Sequence, residues 1–126
     1  GKRVLVVDDD PYVCDVVRRA LENHEYEITI ANDGRTALDL TSSQSFDVVL
    51  ADVRMPGELD GIGLYDMLKE RDPELSSRFI FMTGNLLDTG TMDRLGGLEV
   101  RCIEKPFDIH ALASIVNDVA RLTPLT

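Results

Sequence analysis

Short apolar segments alternate along this chain with longer segments whose apolar residues recur at helical spacing. The five apolar segments span residues 4–7, 28–31, 48–51, 79–82 and 100–103. Four of them are almost continuously apolar, which is typical of strands that are covered on both faces of a parallel sheet. The alternation therefore predicts a three-layer α/β sandwich in which right-handed crossovers surround a parallel sheet of five strands.

Helix start signals stand between the apolar segments. Asp10 and Asp60 are expected N-caps of two helices, and the last helix is expected to start at Asp108. Pro11 supports the first of these, since proline suits the first helical position. A second helix is expected over about 34–41. The segment 86–95 is a weak helix prediction because Gly90 lies inside it, and an internal glycine costs about 1 kcal/mol relative to alanine.

The composition is that of one globular domain, expected to span residues 1–126. No apolar run approaches the roughly 18 residues of a membrane span. The 23 acidic residues outnumber the 13 basic ones, and the resulting net charge of −10 repels phosphate backbones and anionic lipid. We therefore expect a cytoplasmic protein that binds neither nucleic acid nor membranes directly. Cys14 and Cys102 lie in apolar segments and are expected to be free, buried thiols.

Chemically versatile side chains occur where the expected strands stop. They are Asp8, Asp9 and Asp10 after the first strand, Asp52 after the third, Thr83 after the fourth and Lys105 after the fifth. In an open parallel sheet the carboxyl ends of the strands share one edge, and ligands bind there. Residues more than 90 positions apart in the sequence should therefore meet in one cleft that holds carboxylates, a hydroxyl and an ammonium group.

These side chains suit a hard divalent cation and a phosphoryl group. Several adjacent carboxylates cannot all stay ionised without a counter-ion, and a site made only of oxygen ligands favours Mg²⁺. A carboxylate, whose usual pKa is about 3.9, is ionised at neutral pH and can attack phosphorus without a general base. A lysine and a hydroxyl can hold the oxygens of the transferred group. The residues thus predict a phosphoryl-accepting site.

Over essentially its whole length the chain resembles the receiver domain of two-component response regulators. The resemblance rests on Asp8-Asp9, Asp52, Met55-Pro56, Asp60-Gly61, Thr83 and Lys105-Pro106-Phe107. It implies a flavodoxin-like fold with strand order 2-1-3-4-5. It also implies that a sensor histidine kinase or a phosphotransfer protein passes a phosphoryl group from a phosphohistidine to Asp52.

The resemblance further implies a role for each site residue. The implied ligands of Mg²⁺ or Mn²⁺ are Asp9, Asp52 and the backbone carbonyl of Arg54, with Asp8 acting through a bound water. The implied contacts of the phosphoryl oxygens are Thr83 and Lys105, and the Lys105–Pro106 peptide is expected to be cis. The chain would be a signalling phosphoacceptor that promotes its own phosphorylation and dephosphorylation rather than an enzyme, and its downstream effector is not indicated.

Three departures from the family pattern bear on signalling. The loop 55–61 is one residue longer than the commonest spacing, and Arg54 occupies a position that usually tunes the lifetime of the phosphoryl group. Cys102 stands where the family usually carries the tyrosine or phenylalanine of a rotamer switch. Because a thiol has no ring to withdraw, we expect the signal to leave through residues 84–97.

Two alternative functions compete with the phosphoacceptor. An aspartyl-phosphate hydrolase of the haloacid-dehalogenase kind needs a second acid two residues after its nucleophile, and this chain has Arg54 there. A receiver-like interaction module without phosphorylation would be expected to lack one of Asp9, Asp52, Thr83 and Lys105, and all are present. His24 and His110 stand apart from metal-binding or phosphodonor motifs and are expected at the surface.

Overall fold

A computed structural model describes residues 2–55, 57–84 and 101–121, which have the predicted alternation of strands and helices. The strands are β1 (Arg3–Val7), β2 (Glu27–Ala31), β3 (Val48–Asp52), β4 (Phe79–Thr83) and β5 (Arg101–Glu104). The helices are α1 (Pro11–Leu21), α2 (Gly34–Ser43), α3 (Gly61–Arg71), α4 (Pro73–Ser76) and α5 (Ile109–Ala120). A 3₁₀ turn, Glu22–His24, follows α1.

The strands pair in parallel in the order β2-β1-β3-β4-β5. The predicted flavodoxin-like order 2-1-3-4-5 is therefore confirmed. The register pairs Val7 with Ala51 and Thr83 with Glu104. Residues that follow β1, β3, β4 and β5 consequently emerge at one edge of the sheet, beside the switch point between β1 and β3 where ligands bind in this topology.

Helices cover both faces of the sheet, and successive strand residues point to opposite faces. The layer of α1 and α5 packs against residues such as Leu50 and Met82. The layer of α2 and α3 packs against their strand neighbours, including Ala51 and Phe81. All four side chains are fully buried. This double coverage explains why the inner strands are continuously apolar rather than alternating with polar residues.

An aspartate caps each of the four longer helices. Asp10, Asp33, Asp60 and Asp108 accept hydrogen bonds from backbone amides in the first turns of α1, α2, α3 and α5. The sequence predicted the caps at Asp10 and Asp60; Asp33 is an addition, and Asp108 caps the last helix instead of being its first residue. The bond from the Thr36 amide lowers the pKa of the Asp33 carboxyl. The caps hold the helix starts next to the strand ends, and so they shape the edge that carries the candidate site.

The boundaries depart from the sequence prediction at several ends, and each of β1 to β4 is one residue longer than its apolar segment. Helix α2 continues to Ser43 instead of ending near residue 41. Strand β5 covers Arg101–Glu104 and so continues one residue past the predicted 100–103, whose first residue lies outside the described residues. The single turn of α4, which the apolar pattern did not indicate, begins at Pro73 with Asp72 as its N-cap. The shifted ends are end effects, because local propensity determines element termini less strongly than element type. Helix α4 is an additional element.

The cysteines and histidines lie largely where the sequence indicated. Cys14 is buried in the layer of α1 and α5, whereas Cys102 is only partly buried and packs against the layer of α2 and α3. Burial raises the pKa of both thiols, which therefore stay protonated at neutral pH. His24 and His110 are exposed, as expected.

Two expectations fall outside the described residues. The weak helix predicted over 86–95 lies entirely outside them, and the signalling route over 84–97 shares only Gly84 with the described part. Within that part, no helix is long and apolar enough to cross a membrane.

Candidate functional site

Three carboxylates meet at the carboxyl edge of the sheet. Asp8 and Asp9 follow β1 directly, and Asp52 is the last residue of the neighbouring strand β3. Each offers a carboxylate oxygen within 4.8 Å of those of the other two. The backbone amide of Asp8 continues the ladder beyond β1 by donating to the carbonyl of Ala31 at 3.1 Å. The parallel register thus brings together the acids that the strand-end pattern indicated.

Asp8 is the deepest of the three acids and is fully buried. One carboxylate oxygen, Oδ1, accepts the backbone amide of Asp10 at 2.9 Å, and the other, Oδ2, accepts the ammonium of Lys105 at 2.8 Å. Burial raises the pKa of the Asp8 carboxyl, and the two hydrogen bonds only partly offset this effect. A buried carboxylate of this kind depends strongly on a nearby positive charge.

Lys105 joins the ends of the two acidic strands. Its Nζ donates to Asp8 at 2.8 Å and to Asp52 at 3.0 Å, and its backbone amide donates to the carbonyl of Thr83 at 2.7 Å. The Lys105–Pro106 peptide is cis, as the family resemblance implied. Burial alone would lower the pKa of the ammonium, but its hydrogen bonds to both carboxylates outweigh this effect and raise the pKa. Lys105 is therefore positively charged at neutral pH.

The two remaining predicted site residues flank this cluster. Thr83 ends β4, is 4% exposed, and lies one strand away from Asp52, which pairs with Met82. The backbone amide of Arg54 donates to Oδ1 of Asp52 at 3.1 Å, while the Arg54 residue as a whole is exposed. The predicted residues thus share one sheet edge, and direct hydrogen bonds join five of them.

The charge and spacing of the cluster suit a divalent cation. Three carboxylates and one ammonium leave two negative charges uncompensated when all four groups are ionised. Octahedral Mg²⁺ takes oxygen ligands at about 2.1 Å, so ligands on opposite sides of the ion lie about 4.2 Å apart. The acidic oxygens all lie within 4.8 Å of one another, close enough for one cation to lie among them. The donor set therefore fits Mg²⁺.

Two glycines at helix starts allow a close approach of backbone, one to the acidic strand end and one to the loop before α3. A Cβ on Gly61, at the start of α3, would lie 2.0 Å from the carbonyl oxygen of Asp52. A Cβ on Gly34, at the start of α2, would lie 2.2 Å from the carbonyl oxygen of Leu59. Both obstacles are backbone, which cannot move aside as a flexible side chain can. A glycine at the first helical position was the signal in the sequence that could have indicated these contacts.

We expect Gly61→Ala to destabilise the fold by about 2 kcal/mol, within the usual range for overpacking. The added methyl would push against the Asp52 carbonyl. Gly63→Ala is the matched control in the same helix, because its methyl would meet the flexible Leu59 side chain at 2.9 Å. Alanine also favours the helix over glycine by about 1 kcal/mol. Chemical denaturation measures both variants, and equal stabilities would contradict the role assigned to Gly61.

An apolar groove opens beside the acidic cluster. Its volume is about 400 Å³, and its lining includes Tyr12, Val16, Gly84, Lys105 and Phe107. Tyr12 is 73% exposed, which is unusual for a large aromatic residue. Lys105 belongs to both the groove and the cluster. The apolar periodicity of α1 did not indicate this groove, since Tyr12 lies outside the buried stripe of that helix.

Two residues that the strand-end pattern did not indicate also contact the cluster. The thiol of Cys14 and the side-chain amide of Asn32 both donate to the backbone carbonyl of Asp8. Cys14 belongs to the apolar stripe of α1, and Asn32 lies in the turn after β2. No local signal in the sequence connects either of them with an acid on another strand.

The chain is similar to one protein family over most of its length. A family model for the response regulator receiver domain matches residues 4–117. The response regulator MprA of Mycolicibacterium vanbaalenii is 34% identical over 124 residues, which cover 96% of this chain and 51% of MprA. The transcriptional regulatory protein ZraR of Escherichia coli is 37% identical over 100 residues, or 73% of this chain and 22% of ZraR. The chain thus spans about half of one relative and about a fifth of the other.

Solved structures share the fold. The receiver domain of Francisella response regulator 1452 superposes with a TM-score of 0.81 at 28% identity and covers 96% of this chain and 98% of its own. The response regulator TrrA of Thermotoga maritima, solved in complex with Mg²⁺ and BeF, superposes with a TM-score of 0.79 at 25% identity. That match covers 94% of this chain and 99% of TrrA.

Proposed function

Because the chain belongs to the response regulator receiver domain family, we propose that it accepts a phosphoryl group on Asp52 from a phosphohistidine of a partner protein. The partner is a sensor histidine kinase or a phosphotransfer protein. The observation that carries the proposal is the ammonium of Lys105, which contacts both Asp8 and Asp52 inside a cluster of three carboxylates. The family as a whole supports a phosphoacceptor role in signalling.

Asp52 is the acceptor in this proposal. One of its carboxylate oxygens attacks phosphorus, an O–P bond forms, the N–P bond of the phosphohistidine breaks, and the imidazole leaves with the bonding electron pair. The Asp52 side chain is 15% exposed, so a donor can reach it, whereas Asp8 is fully buried. The difference in access favours Asp52 over Asp8 as the acceptor.

The acidic cluster would hold Mg²⁺ or Mn²⁺ through Asp9, Asp52 and the backbone carbonyl of Arg54, with Asp8 acting through water. The oxygen donor set and the uncompensated negative charge support this assignment. When bound, such a cation neutralises charge on the phosphoryl oxygens. The exposed position of Asp9 leaves its carboxylate open for this purpose.

Lys105 and Thr83 would contact the oxygens of the transferred group. The Lys105 ammonium already lies 3.0 Å from Asp52, so it can turn toward charge that develops there. The Thr83 hydroxyl belongs to the adjacent strand end. We further propose that residues 1–126 form one receiver domain. The chain spans only part of MprA and ZraR, so the effector that reads the phosphorylated state belongs to this proposal only as an unidentified partner.

Intact-mass spectrometry tests the proposed function. The protein is incubated with Mg²⁺ and acetyl phosphate, and we expect a single adduct with the mass of one phosphoryl group. The adduct should be labile to hydroxylamine, which cleaves acyl phosphates but not phosphoserine. Omitting the divalent cation should suppress the adduct. A hydroxylamine-resistant adduct, or no adduct with Mg²⁺ present, would contradict the proposal.

We expect Asp9→Ala to weaken Mg²⁺ binding by about 10-fold or more and to slow phosphorylation, because it removes a carboxylate that the proposal assigns to the cation. Isothermal titration calorimetry measures the Mg²⁺ affinity. Asp15→Ala is the control, since it removes an acid of the same charge from the exposed surface of α1. If the affinity of the Asp9 variant equals that of the Asp15 variant, the cation is held elsewhere.

The apolar groove next to Lys105 supports a protein as the natural donor. A protein that delivers a phosphoryl group to Asp52 has to cover the adjacent groove, whose rim carries the exposed ring of Tyr12. Exposed apolar surface of this kind commonly marks a protein contact. We therefore propose that the phosphohistidine-bearing segment of the donor packs on this groove.

We expect Tyr12→Ala to slow transfer from a protein donor by about 10-fold, which corresponds to a lost contact of about 1.4 kcal/mol. The rate with acetyl phosphate should stay unchanged, because that donor does not need the groove. A phosphorylated histidine-phosphotransfer domain serves as the protein donor in a time course of transfer. Equal slowing with both donors would indicate that Tyr12 acts on Asp52 itself, and no slowing with either would exclude the groove.

A further inference from the structure

The peptide that links Asp8 to Asp9 is held by two side chains from outside the acidic cluster. The Cys14 thiol donates to the carbonyl oxygen of Asp8 from α1, with a distance of 3.5 Å between Sγ and oxygen. The side-chain amide of Asn32 donates to the same oxygen at 3.3 Å from the turn after β2. Neither residue reaches the carboxylates directly in these contacts, so both act on the backbone that carries them.

The direction of this carbonyl decides where both acids point. The peptide unit is planar, so turning the Asp8 carbonyl rotates the whole plane between the two residues. That rotation changes ψ of Asp8 and φ of Asp9 together, and it therefore redirects both carboxylates. On the near side of Asp8, the hydrogen bond from its backbone amide to the carbonyl of Ala31 fixes the chain. On the far side, the carbonyl contacts hold the plane together with the hydrogen bond from the Asp10 amide to Oδ1 of Asp8.

The two donors differ in how easily they can be replaced. Asn32 is exposed, so water can take over its hydrogen bond to the carbonyl at little cost. Cys14 is 3% exposed and lies in the apolar layer of α1 and α5. Water has no access from that side, and loss of the thiol donor leaves the carbonyl without its buried partner.

We propose that Cys14 is a positioning residue for the acidic pair: its buried thiol holds the peptide between Asp8 and Asp9, and thereby aims both carboxylates at the cation site. The inference rests on the proposed function, because the cation site belongs to it. Partners that orient metal ligands without touching the metal typically change metal affinity by about 10-fold to 100-fold when they are removed. A thiol is a weak donor, so we place the expected effect at the lower limit of about 10-fold.

Two substitutions separate the hydrogen bond from packing. Cys14→Ser keeps a donor of similar size but makes the side chain more polar, whereas Cys14→Val keeps an apolar side chain and removes the donor. We expect the valine variant to bind Mg²⁺ about 10-fold more weakly than the wild type. We expect the serine variant to remain within about twofold, since a hydroxyl is at least as good a donor as a thiol. Asn32→Ala should also remain within about twofold.

Two measurements on the full chain test the proposal. Calorimetry with Mg²⁺ alone gives the affinities, and amide NMR spectra without divalent cation report the backbone at Asp9 and Asp10. We expect the two amide signals to move in the valine variant and to stay in place in the serine variant. Thermal unfolding of each variant identifies any general loss of stability.

Each outcome decides the proposal. If serine weakens Mg²⁺ binding as much as valine does, Cys14 acts by apolar packing and the proposal is wrong. If valine changes neither the affinity nor the two amide signals, the thiol does not position the peptide. Should the wild type itself bind no Mg²⁺, the proposed function fails, and the amide signals of the metal-free variants still decide whether Cys14 holds the peptide.

Discussion

Asp52→Asn is expected to abolish phosphorylation of the chain while leaving it folded. The side-chain amide is neutral and a poor nucleophile, so no acyl phosphate forms at this position. The substitution also removes one of three adjacent carboxylates, which relieves repulsion within the cluster. Lys105 keeps its second partner, because its bond to Asp8 at 2.8 Å does not involve Asp52. We therefore expect a stability equal to or slightly above that of the wild type.

Intact-mass spectrometry with Mg²⁺ and acetyl phosphate measures the phosphorylation of this variant, and thermal unfolding measures its stability. Asp39→Asn is the matched control, since Asp39 is an exposed acid in the middle of α2 whose ion-pair partner is Arg35. The control variant should acquire the adduct as the wild type does. An adduct that persists in the Asp52 variant would place the acceptor on another residue and overturn the assignment.

Lys105→Ala is expected to have the second-largest effect, because it acts on both function and stability. It removes the ammonium that lies 2.8 Å from the fully buried carboxylate of Asp8 and 3.0 Å from Asp52. Truncating one partner of a buried ion pair typically costs about 3–5 kcal/mol. The Lys105 side chain is 20% exposed, so solvent screens part of the interaction and we expect a loss of about 2 kcal/mol. Phosphorylation should slow by about 100-fold or more, since one charged contact in the transition state is lost.

Chemical denaturation with and without Mg²⁺ distinguishes the electrostatic effect from lost packing. If the missing positive charge causes the instability, Mg²⁺ bound at the same cluster should restore part of the lost stability. Lys69→Ala is the control, because it removes an exposed cation from α3. A Lys105 variant that matches this control in stability and in phosphorylation rate would show that another cation, such as Arg54, replaces Lys105.

Local patterns in the sequence determined the elements and the type of site. Continuously apolar runs identified the buried parallel strands, the caps Asp10 and Asp60 located the starts of α1 and α3, and Asp108 marked the start of α5 to within one residue. The known geometry of parallel sheets then brought the strand-end residues to one edge. These inferences succeeded because burial on both faces and helix capping are properties of neighbouring residues, which a short stretch of sequence displays.

Only the tertiary structure decided which groups touch within that edge. It pairs Lys105 with Asp8 and Asp52 and brings the Cys14 thiol to the Asp8 carbonyl. It also packs the start of α3 against the Asp52 backbone and leaves Tyr12 exposed beside the cluster. Such contacts depend on the strand register and on the packing of helices between distant parts of the chain. Displacements smaller than a hydrogen-bond length decide whether such contacts form, and a local pattern of residues does not predict displacements of that size.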